Sequence, residues 1–460
     1  MVATLRFLGG AGTVTGSKFV VTTDTATVLV DVGLFQGLKA LRRRNWEPFA
    51  VPADSLDAVV LTHAHLDHCG YLPVLGREGL RAPVVATDAT LDLAALVLRD
   101  SAALQEEDAE YAARGGWSKH TPPRPLYDTA DVERVLPLLR PIPYAVPWEV
   151  DGHRVTLTLR PAGHILGSAT VEVGFGGRSV VFSGDLGRDN HPLLEPPAPV
   201  PACDVIVVES TYGNRQHRED PADALADVLD RCLSRGGVAV IPAFAVDRTE
   251  VVLMTLRRLI SEGRVPEVPV FVDSPMALGG LAVYRRAVAA GSADVRDNLV
   301  GIDRAFDPGD LREIHMARDS MAINEPGYPC IIVSASGMAA GGRVVHHLKH
   351  LLPDPRNAVV LVGFQAAGTR GRSLLEGATE LKMHGRYVPV RAEVASVDGF
   401  SVHADSDELV GWLGSAPRPP EVVYIVHGEP EASAALAAKV HADLGWTAVV
   451  PAHGEIVRLD

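Results

Sequence analysis

Cysteine is scarce in this chain and poorly spaced for cysteine chemistry. Cys69, Cys203, Cys232 and Cys330 form no CxxC pair, which excludes both a disulfide framework and a thiolate zinc site. Long apolar runs are missing too. No uncharged apolar stretch reaches the roughly eighteen residues that a membrane-spanning helix needs. The opening MVATLRFLGG lacks the basic start, long apolar run and small-residue cleavage site of a secretory leader, so the expectation is a cytoplasmic protein that crosses no membrane. Positive charge is in deficit. A formal net charge of −14 excludes a protein that binds nucleic acid with its whole surface. Fixed-period repeats and low-complexity tracts are also absent, which excludes solenoids and disordered tails.

What remains is an ordinary globular composition. With 460 residues, 47% of them hydrophobic, the chain is long enough for two domains. The first part alternates short strand-like runs with tight turns: TLRFLGG, a hairpin in KFVVTTDTATVLVDVG, and LDAVVLTHAH. Helices are expected over residues 89–114 and near 129–139. HRVTLTLRPAGH and SATVEVGFGGRSVVFSGD suit an antiparallel meander. After CDVIVVESTYG the pattern changes. GVAVIPAFA, VPVFVDSPM, PCIIVSASGM and AVVLVGF each lead into a helix-compatible run, the alternation of a parallel, doubly wound sheet. The expected organisation is residues 1–209 as the first part of one domain, 210–392 as an inserted α/β domain, and 393–460 completing the first.

LTHAHLDHCG gathers His63, His65, Asp67 and His68 just beyond an apolar strand, on the kind of strand-end loop where sites are built. Imidazole and carboxylate together suit Zn²⁺. So few residues cannot close two coordination spheres, so further ligands must come from other strand ends. His164 in RPAGHILGS, Asp185 in VVFSGDLG and His427 in VVYIVHGEP each follow an apolar strand in the same way. Singly, such a residue is more often a turn or cap residue than a ligand; together the three repeat one geometry.

THAHLDH, GHILGS and SGD, with Asp31 in LVDVGLFQG before them, resemble the metal-binding motifs of the metallo-β-lactamase fold. VESTYG, FSVHAD and VHGE resemble the extra motifs of its β-CASP branch, and PAFAVDRTE, VDSPMA, SASGMAAGGR and GFQAAGTRGR resemble blocks of the inserted domain. The likeness is greatest to bacterial and archaeal ribonucleases related to the cleavage and polyadenylation endonuclease subunit, and no ligand position is substituted. It implies an α/β fold: an αββα metallo-β-lactamase sandwich with an inserted parallel α/β β-CASP domain. It also implies two Zn²⁺ ions. One would be held by His63, His65 and His164 and the other by Asp67, His68 and His427, with Asp185 bridging and Asp31 orienting the first loop. His403 resembles the general acid and Glu209 the carboxylate that orients it. Asp67 and Asp185 also count among the catalytic residues. A second HGE at His453 reads as structural.

The implied reaction is hydrolysis of RNA phosphodiester bonds, endonucleolytic or from the 5′ end, leaving 5′-phosphate and 3′-hydroxyl ends. The implied partner is single-stranded RNA, with a homodimer allowed. Residues 337–391 carry eight Lys and Arg against three Asp and Glu, a local excess of +5 in an acidic chain. Glycine-rich turns there precede helix N-termini, which favour phosphate. Ser336, Gly337, Arg343, Thr369, Arg370 and Arg372 are therefore candidates for phosphate contact, with Arg248 and Ser274 at analogous junctions. Competing readings are a small-molecule hydrolase of lactonase or thioesterase type, which has no use for the insert; a non-catalytic scaffold, which should show eroded ligands; and a DNA nuclease of the β-CASP branch, whose members lack the histidine found here at 427.

Overall fold

Valine, isoleucine and leucine dominate the strands, and their alternation decides which faces are buried. The computed structural model describes residues 3–115, 123–150, 152, 154–217, 221–302, 304–366, 368–397 and 399–459. It divides into two units, Met1–Gln216 with His403–Asp460, and His217–Val402.

The first unit holds two seven-stranded sheets. In one, Thr4–Phe7, Phe19–Thr22 and Thr27–Val30 run antiparallel, and Ala58–Val60, Val84–Ala86 and Leu139–Pro141 continue it in parallel. In the other, Val155–Pro161, Ala169–Phe175 and Arg178–Phe182 form the expected meander. Gly176 and Gly177 make its tight turn with φ of 55° and 81°. Positive φ at both central residues matches the right-handed twist of the flanking strands. Val205–Val208 and Val422–Ile425 then add in parallel. Phe7, Phe19, Val30 and Val60 from one sheet share a core with Leu157, Val171, Phe182 and Tyr424 from the other, so the sheets are stacked. Helices Ser406–Gly414 and Pro430–Leu444 bury Leu409, Leu413, Leu436 and Val440 against the outer face of the second sheet. The result is an αββα sandwich.

The helix Asp88–Gly115 forms where one was expected. The next is shorter than expected. Thr129–Val135 gives way to a 3-10 turn, Leu136–Leu138, and then to the strand Leu139–Pro141, because Pro137 lacks the N–H that would continue the helix.

In the second unit six strands pair entirely in parallel: Leu311–Glu313, Val270–Val272, Cys330–Ser334, Val238–Pro242, Ala358–Leu361 and Glu393–Ser396. Helices follow the strands, and Arg343–Leu351 buries Val344, Val345 and Leu348 against Val240 and Ile332. Glu393–Ser396 pairs with Ala358–Leu361 as the edge strand of this sheet, and the compact unit spans His217–Val402 where residues 210–392 were expected. A four-residue strand carries no mark in sequence of which sheet it will join.

Candidate metal centre

The strand ends converge because neighbouring strands are in register. Phe182 pairs with Val207, and Val208 with Ile425, so Asp185, Glu209 and His427 emerge at one edge of the second sheet. Val30 pairs with Val60 in the first sheet, which brings Asp31 beside the His63–His68 loop. Close approach there requires glycine. A Cβ at Gly33 would fall 1.6 Å from the Asp67 carbonyl oxygen, and one at Gly184, where φ is +56°, would strike the Thr62 side chain. Asp31 and His427 hold φ of 57° and 48°, left-handed conformations that cost a non-glycine residue energy and recur at functional sites.

Two clusters result: His63, His65, His164 and Asp185, and beside them Asp67, His68 and His427. In the first, His65 Nδ1 lies 3.1 Å from His63 Nε2 and 3.3 Å from His164 Nε2. Asp185 faces both clusters. Its Oδ2 is 3.6 Å from His63 Nε2 and 3.7 Å from His164 Nε2, while its Oδ1 is 3.3 Å from His68 Nε2 and 2.8 Å from His427 Nδ1. His427 Nε2 reaches Asp67 Oδ2 at 3.4 Å.

Behind these rings a layer of hydrogen bonds sets their orientation. Thr62 Oγ1 donates to Asp31 Oδ2 at 2.9 Å and so accepts from His63 Nδ1 at 3.1 Å. His68 Nδ1 donates to the same Asp31 oxygen at 2.8 Å, and the Thr62 N–H donates to Asp31 Oδ1. Both histidines therefore turn Nε2 toward the clusters, as ligating imidazoles held by outer partners do. Sequence reasoning found Asp31 but missed Thr62. Its only signal was a hydroxyl directly before the first histidine. Ser168 was missed as well; its Oγ accepts from the His164 and Ile165 N–H groups and shapes the turn that presents His164.

Burial and the clustered carboxylates shift the titration of all five histidines of the two clusters. Burial, the largest influence, lowers the pKa of His63, His65 and His164 and keeps these rings neutral. Burial also opposes protonation of His68 and His427, but Asp185 and Asp31 outweigh it at His68, and Asp185 and Asp67 raise His427 to about 10. Asp185 is held well below the carboxylate range, the pull of His427, His68 and His63 overcoming its burial. His68 Nε2, Asp185 Oδ1 and both nitrogens of His427 are buried, and despite their close approach to one another none is in a well-directed hydrogen bond. Buried polar atoms in native proteins rarely stay unsatisfied unless something else binds them. A donor set of imidazole and carboxylate fits a borderline divalent ion such as zinc.

His403 stands at the rim, half-buried. Its Nδ1 is 3.3 Å from Glu209 Oε1 and 3.9 Å from Asp185 Oδ2. Glu209 is fully buried and accepts from the Leu186 N–H at 2.7 Å and the Thr211 N–H at 3.3 Å, so its carboxylate is fixed before His403 meets it. His453 is in neither cluster and packs its edge on Phe35, ring centroids 6.2 Å apart.

The phosphate candidates of the second unit have protein partners. Arg343 donates to Asp273 Oδ1 at 2.6 Å and to the carbonyls of Ile314 and His315, so both of its terminal nitrogens are engaged. Arg370 donates to the carbonyls of Ala339, Ala340 and Lys382. Arg372 pairs with Glu376. Thr369 accepts from the Arg372 N–H, Ser336 from the Ala340 N–H, and a Cβ at Gly337 would strike Phe244. Arg248 is buried, and Ser274 caps the helix Pro275–Ala290. These residues build the turns around the parallel sheet, where Arg343, Arg370 and Arg372 already have protein partners.

Comparison with known proteins places this geometry in a lineage. Residues 12–229 match the metallo-beta-lactamase superfamily, 249–374 the Beta-Casp domain, and 387–451 the Zn-dependent metallo-hydrolase RNA specificity domain. The chain is 39% identical to Ribonuclease TTHA0252 of Thermus thermophilus, over 93% of this chain and 94% of the relative. It is 33% identical to transcription termination factor FttA of Pyrococcus horikoshii, over 98% of this chain and 70% of the relative. An RNase J-like protein of Methanocaldococcus jannaschii is 29% identical over 99% of both. The crystal structure of a protein of unknown function from Enterococcus faecalis shares the fold, with a TM-score of 0.54, 14% identity and full coverage of both chains. No helix among the described residues is long and apolar enough to cross a membrane. With matches of this identity along nearly its whole length, the chain belongs to the metal-dependent β-CASP ribonucleases of the metallo-β-lactamase fold.

Proposed function

We propose that this protein hydrolyses single-stranded RNA with two zinc ions, leaving 5′-phosphate and 3′-hydroxyl ends. The observation that carries the reading is the Asp185 carboxylate, with one oxygen turned to each nitrogen cluster. His63, His65 and His164 would hold one ion and Asp67, His68 and His427 the other, with Asp185 shared. Bound there, a pair of divalent ions lowers the pKa of water and neutralises charge on a phosphodiester.

The rest of the work falls to the chain. Asp31 and Thr62 keep His68 and His63 in the tautomer that offers Nε2. Glu209, already fixed by two N–H groups, accepts from His403 Nδ1 and leaves Nε2 to face a substrate. A protonated His403 can then give its Nε2 proton to the departing 3′ oxygen, a role worth about 10² to 10⁴ in rate. The carboxylates Asp31, Asp67 and Asp185 favour positive guests and repel phosphate until such guests are bound, so binding of RNA should follow binding of metal.

The test uses purified protein with zinc and two end-labelled single strands of one sequence, RNA and DNA. Cleavage of RNA to 3′-hydroxyl products, abolished by chelation, is expected. An intact RNA strand, or a marked preference for DNA, refutes the reading.

A further inference from the structure

Many arginines at the surface of this acidic protein have found a carboxylate. Arg99 pairs with Glu133, Arg178 with Glu421, Arg231 with Glu393, Arg285 with Glu313, Arg356 with Asp354 and Arg418 with Asp204. The helix Lys39–Arg44 departs from that habit. None of its six residues is buried, and it has no acidic residue in its first turn and three arginines, Arg42, Arg43 and Arg44, in its last. Among the described residues, none of Lys39, Arg42, Arg43 and Arg44 makes an ion pair. Such a helix adds nothing to the core, and its charges repel one another. A short exposed helix of this kind has no stability of its own to justify it.

Its surroundings show what it could hold. Trp46, just past the helix, is 43% exposed, and the exposed Arg124 guanidinium lies 5.5 Å over its ring. A stacked indole and guanidinium offer a base a flat platform. The helix is also fastened to the metal centre. Buried Asn45 closes it by accepting from the Phe35 N–H at 2.9 Å and donating to the Phe35 carbonyl at 2.8 Å. Arg44 covers the Phe35 ring at 5.4 Å. From Phe35 the chain runs straight back to the ligand loop, where the Leu34 N–H donates to the Leu66 carbonyl and the Val32 N–H to the His68 carbonyl.

We infer that the Lys39–Arg44 helix, with the Trp46–Arg124 platform, is a track for the RNA strand as it extends beyond the metal centre. The inference rests on the ribonuclease reading and adds to it a location for RNA binding in the first unit. Lys39, Arg42 and Arg43, at i, i+3 and i+4, share one helix face and offer positive charge to backbone phosphates, and the stacked pair favours an unpaired strand over a duplex or a lipid surface.

The test compares kcat and KM of the zinc-loaded enzyme on a single-stranded RNA of about 20 nucleotides across a salt series. In the triple variant Lys39→Ala/Arg42→Ala/Arg43→Ala the loss should fall on KM. The slope of log(kcat/KM) against log salt should flatten by about 2, near 0.7 for each phosphate contact removed. Trp46→Ala should raise KM without changing the slope. A control that removes the same charge from paired arginines, Arg99→Ala/Arg285→Ala/Arg356→Ala, should keep the wild-type slope. If the wild type cleaves RNA and the Lys39 triple variant matches it in KM and slope, the track is refuted and the ribonuclease reading stands. The track is refuted equally if the control flattens the slope as much. If the wild type cleaves no RNA, both fall.

Discussion

Thr62→Val isolates the layer behind the ligands, because valine keeps the shape and removes only the hydroxyl. The threonine is 1% exposed, so no water can take its place. Two bonds disappear, the donation to Asp31 Oδ2 at 2.9 Å and the acceptance from His63 Nδ1 at 3.1 Å. The Thr62 N–H bond to Asp31 Oδ1 survives, so Asp31 stays in place and His68 keeps its partner. His63 is then left with a buried ring N–H that has no acceptor, a cost of about 1–3 kcal/mol. Its ring can also flip to the tautomer that turns a hydrogen toward the cluster. Loss of an outer partner of this kind typically weakens metal affinity by about 10- to 100-fold, or roughly 1.4–2.8 kcal/mol. Competition against a zinc-binding indicator should show one weakened site in the variant and one of wild-type affinity, since only His63 is affected. Two sites of unchanged affinity would refute the argument that Thr62 fixes the tautomer.

Other consequences follow from particular side chains. His403→Ala should retain its metal and its RNA affinity while single-turnover cleavage slows by about 10² to 10⁴; loss of metal would make His403 a ligand instead. Lys18 is buried between Phe35 and Tyr71, its Nζ 4.5 and 4.8 Å from the ring centroids, and burial lowers its pKa from 10.5 to about 7. Between those two values the unfolded chain binds the extra proton, so the stability penalty is full below about 7 and fades as pH rises toward 10.5. Lys18→Met should thus unfold at a higher temperature than wild type at pH 7, by an amount that shrinks toward pH 10, whereas parallel profiles would contradict the burial argument. In the second unit, Asp273 is fully buried and accepts from Arg343, His347 and Ser320. Asp273→Ala strands those donors and should cost about 3–5 kcal/mol in denaturant unfolding with metal content unchanged; a loss below 1 kcal/mol would show that the network is dispensable.

The residues gathered in the two clusters were legible in sequence because they follow apolar strands, and strand ends are easy to find by pattern. His164, Asp185 and His427 lie far apart in the chain yet share that local setting. Thr62 stayed hidden because a threonine at a strand end is also what β-propensity alone would place there. For the arginines of the second unit, the protein partners were not legible. Charge counted along a segment says nothing about where the carboxylates fold, and Asp273 lies 70 residues from Arg343 in sequence. For the same reason the isolated cations of Lys39–Arg44 drew no notice, since their lack of partners is visible only in three dimensions. The expected domain edge at 393 falls on a strand, Glu393–Ser396, whose pairing with Ala358–Leu361 is a long-range choice that short strands do not encode locally.

The central claim is that Asp185 joins two metal sites that act together on RNA. Its most direct measurement is RNA cleavage followed as zinc is added stepwise to metal-free protein, beside metal analysis of wild type and Asp185→Ala. Activity should rise only as the second equivalent fills, and Asp185→Ala should bind fewer than two equivalents and leave the RNA intact. Full cleavage at one equivalent or none, or an Asp185→Ala protein that binds two zincs and cuts RNA at the wild-type rate, would contradict the account.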